Sequence, residues 1–384
     1  MKTYTLLLLC FIHIAVFSQI SNFSEKFELP SEVEETSGLL FLNGKIITHN
    51  DSGNEAKLYE IDSLSGALTR TITITNATNV DWEDITQDNT HVYIGDIGNN
   101  NGNRTDLTIY KILKTDYLAN TDITAETISF SYEDQTDFSS HPNSSNFDAE
   151  AISVYQNQLF IFTKNGSDLM TNVYVVPLTP GTHTAVKVSS FNVSGFITGA
   201  SYSSFDDSFM LTGYDSTLTP FLIYIDQNRP PGNDIFAGGA TKFSLTDELG
   251  EGNQVEGITH YNEGNYYISR ERLTITVNGI EITRTQKLYQ FYNLASTVLS
   301  VYEESFKPRI ILYPSPSKNY ISIAHLNANK RISKIELYNA NGVKIKQVVN
   351  TTRKISTKNL STGIFFIKVI FADQSVIIKK MIKI

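Results

Sequence analysis

Three glutamates recur in similar local sequence and are the side chains best suited to bind a cation. Glu83, Glu150 and Glu256 are each followed by a small or acidic residue and then by an aliphatic one. Carboxylates that are brought close together either rise in pKa or recruit a cation. No His or Cys recurs beside them, so an oxygen-only cluster would suit Ca²⁺. The alternative is that these acids accept hydrogen bonds from backbone N–H groups of neighbouring sheets.

A second set of polar residues lies 11 to 14 residues after the aliphatic residue that ends each copy of this motif, where a second strand is predicted to end. Mixed acidic and basic side chains at such a place would bind an anionic group together with a cation. The predicted metal ligands are Glu83, Asp96, Glu150 and Glu256, and the predicted ligand-binding residues are Asp51, Asp84, Arg104, Lys164, Tyr214, Arg270 and Glu271. Ordinary salt bridges between sheets, or a polar hairpin capped by its own side chains, are the alternatives for these residues.

The glutamates belong to a motif that occurs five times and sets the predicted architecture. Its third residues are separated by 46, 67, 48 and 58 residues, close to the roughly 40 to 50 residues of a four-stranded propeller blade plus loops; they are Leu39, Ile85, Ile152, Ala200 and Ile258. Each copy precedes a third predicted strand with a central tyrosine and a fourth strand, the last of them at residues 297–302. No helical crossover pattern separates the strands. The sequence therefore predicts an all-β protein with a five-bladed β-propeller, six blades being the alternative.

The N-terminus predicts an export signal. Met1 and Lys2 precede an apolar run from Leu6 to Phe17, which is too short for a comfortable membrane span, so residues 1–18 are predicted to be a signal peptide. The only cysteine, Cys10, lies within this run, and a lipoprotein signal is the alternative. The mature chain is expected to lack both disulfides and transmembrane segments. Residues 23–29 are predicted to form a strand that pairs with the last blade.

The net charge of −9 combines two regions of opposite sign. Residues 311–384 hold 13 Lys and Arg against two acids, Glu336 and Asp373, whereas the preceding residues hold 18 basic and 38 acidic side chains. An acidic body of net charge −20 repels nucleic acid phosphates and favours cations. We therefore predict an acidic propeller domain at residues 19–308, no nucleic acid partner, and a separate basic β-sandwich at residues 309–384.

The basic region carries a set of short motifs in a fixed order. It begins with Leu312-Tyr313-Pro314-Ser315-Pro316, continues with Asn341-Gly342 and Leu360-Ser361-Thr362-Gly363, and ends in a lysine-rich strand. In this it resembles the type A C-terminal sorting domain of the Bacteroidetes type IX secretion system. The resemblance implies a seven-stranded sandwich, the type IX secretion machinery as partner, and a secreted or outer-membrane surface location.

The acidic region is similar, more loosely, to phytase-like and esterase-like propellers. The likeness depends on Trp82-Glu83-Asp84-Ile85, Gly95-Asp96-Ile97-Gly98-Asn99 and Val255-Glu256-Gly257-Ile258. In phytase-like propellers, channel carboxylates hold Ca²⁺ ions that bind substrate phosphate, so the resemblance implies Ca²⁺ as cofactor.

Three functions remain open at this point. The first is a secreted or surface propeller that binds an unidentified small-molecule or glycan ligand with Ca²⁺. The second is a Ca²⁺-dependent phosphoesterase or ester hydrolase, and the third is a structural adhesin scaffold. Zinc-protease (HExxH), serine-hydrolase (GxSxG) and phosphate-loop motifs are missing from the sequence, which leaves catalysis undecided.

Overall fold

The computed structural model describes residues 20–226, 228–277, 280–293, 310–313, 316–325, 332–340, 342–349, 354–371 and 376–384. The chain divides into two compact units, Met1–Ser296 and Thr297–Ile384. The predicted signal peptide at residues 1–18, the strand predicted at residues 297–302 and the predicted domain boundary at residue 308 all lie outside the described residues.

The first of the two compact parts of the chain is built from antiparallel sheets of four main strands that follow one another along the sequence. These sheets are numbered unit 1 to unit 5 below. Strand β1 (Ile20–Glu28) and a 3-10 helix (Ser31–Val33) precede unit 1 in the sequence. Unit 1 contains β2 (Thr36–Leu42), β3 (Lys45–Asn50), β4 (Lys57–Asp62) and β5 (Leu68–Ile74). Unit 2 contains β6 (Trp82–Gln87), β7 (His91–Asp96), β8 (Thr108–Leu113) and β10 (Glu126–Tyr132), with helix α1 (Lys114–Ala119) and strand β9 (Asp122–Ile123) between β8 and β10.

The remaining units repeat this order. Unit 3 contains β11 (Ala149–Tyr155), β12 (Gln158–Thr163), β13 (Met170–Pro177) and β14 (Gly181–Asn192). Unit 4 contains β15 (Phe196–Ser203), β16 (Ser208–Tyr214), β17 (Pro220–Ile225) and β18 (Thr241–Ser244), followed by helix α2 (Thr246–Leu249). Unit 5 contains β19 (Val255–Asn262), β20 (Asn265–Arg270) and β23 (Lys287–Asn293), with a separate hairpin of β21 (Leu273–Val277) and β22 (Ile280–Arg284) between the last two.

The first strands of the units, β2, β6, β11, β15 and β19, are called the inner strands below. Each inner strand contacts the next in chain order, and β19 contacts β2, so that the inner strands form a closed ring. Parallel pairing of β10 with β14 joins units 2 and 3 into one eight-stranded sheet, and β9 extends unit 1 beside β5. This order is that of a β-propeller, which confirms the predicted all-β propeller class. Five remains our predicted number of blades.

The N-terminal strand completes unit 5. Strand β1 pairs antiparallel with β23, with Ile20 opposite Asn293 and Glu28 opposite Lys287, and so occupies the outer place in the sheet order β1-β23-β20-β19. The prediction that a strand near residues 23–29 pairs with the last blade is therefore confirmed.

The hydrophobic core of the first compact part of the chain lies between neighbouring sheets. One cluster joins units 1 and 2 and includes Leu40, Ile47, Trp82 and Ile94, all nearly or completely buried. Equivalent clusters lie between each following pair of units and between unit 5 and unit 1. Apolar side chains on both faces of each sheet thus stabilise the ring by burial.

The second unit contains seven strands among its described residues. These are β24 (Ile310–Tyr313), β25 (Tyr320–His325), β26 (Ile332–Asn339), β27 (Lys344–Val349), β28 (Lys354–Ser356), β29 (Gly363–Phe371) and β30 (Val376–Lys383). They form a three-stranded sheet, β24-β25-β28, and a four-stranded sheet, β27-β26-β29-β30. Ile321 and Ile355 of the first sheet share one buried cluster with Leu337 and Ile367 of the second, so the two sheets pack face to face as a sandwich.

Among the described residues, none of the helices reaches the length and apolar character needed to cross a bilayer.

Candidate functional site

An acidic cavity lies where the inner strands begin and the second strands end. Its volume is about 60 Å³. It is lined by Ser37, Asp51, Glu83, Asn100, Glu150, Lys164, Tyr214, Gln254, Glu256 and Glu271. The three recurring glutamates therefore meet at one place, together with four of the seven predicted ligand-binding residues: Asp51, Lys164, Tyr214 and Glu271.

A backbone irregularity at the start of every inner strand positions these side chains. In β6 the partner of Trp82 is Asp96 and that of Asp84 is Gly95, so Glu83 is an extra residue opposite the β7 strand. Glu150 is extra in the same way on β11. The pairing shifts at the repeated motif in the other three inner strands as well. Such β-bulges turn a side chain out of the regular alternation, and here they direct the glutamates into the cavity.

Copies of the motif with a hydroxyl instead of a glutamate link neighbouring inner strands. The Ser37 hydroxyl donates to the Glu83 backbone carbonyl at 2.5 Å, and the Thr198 hydroxyl donates to the Val255 carbonyl at 2.6 Å. Both hydroxyls thus have a structural role, because each donates to a backbone carbonyl of the next inner strand.

Three carboxylates come closest to forming a cation site. One oxygen each from Asp51, Asp81 and Glu83 lies within 4.8 Å of the other two. Lys164 supplies a positive charge nearby, because its Nζ lies 2.8 Å from Glu150 Oε1. Among the lining residues, five carboxylates therefore face a single lysine.

Burial and mutual repulsion raise the pKa of every cavity carboxyl. Burial raises the pKa of Asp51 to about 6, with Glu150 adding repulsion, and raises that of Asp81 to about 7. The pKa of Glu150 rises to about 7 through burial, opposed by Lys164, and that of Glu271 rises to about 8.

Burial and neighbouring charges also shift the pKa values of Glu83, Glu256 and Lys164. Burial raises the pKa of Glu83 and Glu256 well above the usual range. Burial alone would lower the pKa of Lys164, but attraction by Glu150 and other acids raises it. Negative charge in this cavity is therefore costly until a cation neutralises it.

Gly98 allows the backbone to approach the acidic cluster. A Cβ atom at this position would lie 2.1 Å from Glu83 Oε1 and 2.4 Å from Asp81 Oδ2, which is too close for any side chain. The Gly98 N–H donates to the Asp81 carbonyl at 3.1 Å, and the Gly98 carbonyl accepts from Arg104 Nη1 at 2.8 Å. The loop after β7 thus forms one wall around the two carboxylates.

Asp96 and Arg104 pair with each other instead of lining the cavity. Arg104 Nη2 donates to Asp96 Oδ1 at 2.9 Å, and its Nε donates to Asp106 at 3.0 Å. Asp96 Oδ1 also accepts from the Asp81 N–H at 3.0 Å. The structure therefore places this pair next to Asp81, where it holds the backbone of one of the three clustered carboxylate residues.

Asp84 also lies outside the cavity, although it follows Glu83 directly. Its carboxylate accepts from its neighbour Ile85 N–H at 2.8 Å, from Ile152 N–H at 2.9 Å and from Ala200 N–H at 3.4 Å. Ile152 and Ala200 belong to the two following inner strands, so the buried carboxylate reaches across the ring. Burial raises the pKa of Asp84 well above the usual range. Its contacts are those of a structural bridge between inner strands.

Arg270, predicted to bind ligand, is buried and engaged by neighbouring groups. Its guanidinium donates to Asn253 Oδ1 at 2.7 Å and to the Thr285 carbonyl at 2.7 Å, and it lies 5.7 Å from the centre of the Tyr289 ring. The adjacent residue Glu271 reaches the cavity instead.

Sequence reasoning missed Asp81, Asp148 and Gln254. All three stand two residues before a recurring glutamate, so alignment of the repeats two positions further back would have found them. Asp148 holds the loop after β7, because its Oδ1 accepts from the Asn99 N–H at 2.6 Å. Burial raises the pKa of Asp148 to about 6.

A group of Asp137, Ser139 and His141 has the composition of a hydrolase triad but not its geometry. Ser139 Oγ and Asp137 Oδ2 both contact the same ring nitrogen, His141 Nε2, at 3.0 and 2.9 Å. A catalytic triad places the acid and the nucleophile on opposite nitrogens. All three residues are exposed, and we interpret the group as a loop-stabilising cluster.

The comparisons with known proteins identify the second unit. Residues 311–384 match the family described as secretion system C-terminal sorting domain. A search of curated proteins found no match to the chain.

Solved structures share the chain's fold features only distantly. PorZ, described as an essential bacterial surface component of the type-IX secretion system of Porphyromonas gingivalis, is 12% identical with a TM-score of 0.34, over 91% of this chain and 45% of its own. The extracellular domain of a putative hybrid two component system from B. thetaiotaomicron is 12% identical with a TM-score of 0.33, over 94% and 59%. A structural genomics protein of unknown function from Bacteroides thetaiotaomicron is 10% identical with a TM-score of 0.39, over 70% and 75%. The chain thus spans about half the length of the first two structures.

The seven-stranded sandwich and the family match agree on residues 311–384. Together they identify a type IX secretion sorting domain, so the chain is a β-rich protein exported to the cell surface or the extracellular space.

Proposed function

We propose that the propeller unit is a Ca²⁺-binding module whose bound ion takes part in holding an oxygen-rich ligand at the mouth of the acidic cavity. The observation that carries this proposal is that one carboxylate oxygen each from Asp51, Asp81 and Glu83 lies within 4.8 Å of the other two. Asp51 and Glu83 line the acidic cavity, and Asp81 adjoins them.

The donor set fits the ion. Hard divalent cations prefer carboxylate and carbonyl oxygens, and Ca²⁺ accepts six to eight of them in flexible geometry. The cavity offers the carboxylates of Asp51 and Glu83, and Asp81 adjoins them. The carboxylates of Glu150, Glu256 and Glu271 and the side chains of Asn100 and Gln254 also line it. Neither His nor Cys is among the lining residues, which disfavours zinc and copper.

The size of the cavity favours ion binding over an enclosed organic substrate. About 60 Å³ provides room for an ion and a few water molecules. A larger ligand must therefore bind at the mouth, where Lys164 supplies a second positive charge beside the ion.

Titration of chelator-treated full-length protein with Ca²⁺ tests this proposal. At a Ca²⁺ concentration of about 100 times Kd, binding to the folded state adds about 2.7 kcal/mol, or roughly 5 to 10 °C in Tm. Glu83→Gln is expected to weaken Ca²⁺ binding at least about tenfold by calorimetry. Glu126→Gln, at an exposed glutamate on β10, is the matched control. A melting temperature that is indifferent to Ca²⁺ would contradict the proposal and favour the structural scaffold.

A second function, Ca²⁺-dependent phosphoester or ester hydrolysis, is favoured by one observation. Lys164 and Tyr214 stand among the cavity carboxylates, where a cation, an ammonium and a hydroxyl would together face a phosphate oxygen. Assays of p-nitrophenyl phosphate, phytate and p-nitrophenyl acetate, each with Ca²⁺ or chelator, separate this function from binding alone. Calcium-dependent turnover that Lys164→Gln abolishes would establish the hydrolase; a Ca²⁺-dependent rise in Tm without turnover favours the binding module.

A further inference from the structure

A second and larger depression lies at the other end of the inner strands. Its volume is about 630 Å³. We call it the neutral basin. Residues near the ends of the inner strands line it, among them Gln87, Ser153, Tyr155, Ser201, Tyr202 and Thr259. The size lies within the range of small-molecule sites.

The region between the acidic cavity and the basin is filled. Asp84 bridges β6 to the two following inner strands through Ile152 and Ala200, and its side chain is completely buried. A Cβ at Gly38 would meet the Asp84 backbone at 2.7 Å, so inner strands are in direct backbone contact there. A ligand in the basin therefore does not reach the carboxylates at the other end.

The lining of the basin carries little available charge. Asp88 and Lys114 are the formally charged residues among those that line it. Asp88 Oδ1 accepts from the Thr90 and His91 N–H groups, and Oδ2 accepts from Tyr93 OH at 2.7 Å.

Lys114 and His260 are the basic side chains that line the basin. Lys114 Nζ donates to the Asp88 carbonyl at 2.6 Å, and burial lowers its pKa. Burial also lowers the pKa of His260, which keeps the imidazole neutral at physiological pH. The single negative and single positive charge that line the basin, on Asp88 and Lys114, are thus each held by hydrogen bonds within the protein and offset each other.

What the basin offers instead is hydrogen-bonding capacity next to aromatic rings. Gln87 is held by a hydrogen bond from its Nε2 to the Phe41 carbonyl at 3.0 Å. Ser201 Oγ accepts from the His260 N–H at 2.9 Å, which leaves its own proton to donate. The rings of Tyr155 and Tyr202 lie 4.8 Å apart in a tilted arrangement on the same wall.

We infer that the neutral basin binds an uncharged, hydroxyl-rich ligand of the size of a mono- or disaccharide. Sugar hydroxyls both donate and accept hydrogen bonds, so they match hydroxyl and amide side chains such as Ser201 and Gln156 that line the basin. The apolar face of a sugar ring packs against tyrosine. This inference is independent of the Ca²⁺ proposal, because a different set of residues carries it.

Saturation-transfer NMR on the full-length protein tests the inference with glucose, galactose, N-acetylglucosamine, maltose and cellobiose, and with glucose 6-phosphate as the charged comparison. At least one neutral sugar is expected to bind with Kd below about 10 mM, and with chelator present as well as with Ca²⁺. Binding of the phosphate alone, or of none of the sugars, would overturn the inference.

Two rim variants locate the site. Ser204 and Asn89 line the basin with exposed side chains, so Ser204→Arg and Asn89→Arg add bulk and charge there without disturbing the core. Each is expected to weaken sugar binding at least about tenfold while leaving the Ca²⁺-induced rise in Tm unchanged. Glu150→Gln, in the acidic cavity, should affect only Ca²⁺. Sugar binding that survives both arginine variants, or that is lost in Glu150→Gln, would contradict the assignment.

Discussion

The two ends of the inner strands differ in chemistry although the same five strands supply both. At the start of these strands, bulges turn Glu83 and Glu150 into a small, buried acidic cavity. At their ends the pairing is largely regular, and hydroxyl, amide and aromatic side chains line a wide neutral basin. The comparison teaches that local backbone irregularity, repeated five times, concentrates charge at one end of the ring and leaves the other end neutral.

The sharpest way to test the separation of the two ends is to remove Asp84. Asp84→Ala leaves the N–H groups of Ile85, Ile152 and Ala200 without their acceptor inside the ring. Each buried donor without a partner costs about 1 to 3 kcal/mol, so urea denaturation should show a loss of about 3 to 5 kcal/mol in the free energy of unfolding. Asp84→Asn keeps one acceptor oxygen and should lose less. A loss below about 1 kcal/mol for Asp84→Ala would show that the bridge does not hold the inner strands.

A second variant alters the acidic end without removing any carboxylate. In Gly98→Ala the added methyl group overlaps Glu83 Oε1 and Asp81 Oδ2, so both side chains must move apart. Calorimetry should show Ca²⁺ binding weakened about thirtyfold, which corresponds to about 2 kcal/mol. Asn101→Ala, in the same loop but exposed, is the control. Sugar binding at the neutral basin should be unchanged; an equal loss at both ends would mean that the two sites are coupled.

The third test uses pH, which should act on the acidic end alone. The raised pKa values, about 6 for Asp51 and about 7 for Asp81 and Glu150, mean that the folded protein holds more protons than the unfolded chain between about pH 4 and 8. The contribution of these three carboxyls to the stability of the metal-free protein is therefore fully present below their unfolded pKa near 4 and is lost as pH rises through the raised values. Ca²⁺ must displace the protons, so its apparent Kd should improve up to about tenfold per pH unit for each proton released.

Thermal melting at pH 5, 6, 7 and 8, with and without Ca²⁺, measures both effects. The Tm of the metal-free protein should fall over this range, while the increment from Ca²⁺ grows. Asp81→Asn removes one titrating group and should flatten both trends. A Ca²⁺ increment that stays constant from pH 5 to pH 8 would contradict the assignment of these carboxylates as ligands.

Much of the fold followed from the sequence because the repeats are spaced regularly. The motif located the start of each inner strand, and the alternation of apolar residues located the strands after it. The strand near residues 23–29 was predictable because it had no other partner among the repeats. The sorting domain was recognisable from short motifs whose turns and strands are closely defined, and it matches its family over residues 311–384.

The site was predicted less completely because side-chain direction at a bulge cannot be read from alternation. Glu83 and Asp84 are adjacent, yet one enters the cavity and the other bridges the inner strands. Asp96 and Arg104 satisfy each other, a pairing that depends on how the loop between them folds. Asp81 joins the acidic cluster only because the loop at Gly98 brings the chain back against it.

The pairing of β1 with β23 has a consequence for the order of events during export. Residues Ile20 and Asn293 are neighbours in one sheet, so the ring cannot shut until almost the whole first unit has been delivered. Closing a loop of that length is slow compared with forming a local hairpin. Until then the backbone N–H and C=O groups of β1 are unpaired, and such an exposed strand can pair with another chain. Because β1 precedes β19, β20 and β23 in the chain, it is synthesised before all other strands of this sheet and must wait for its partner.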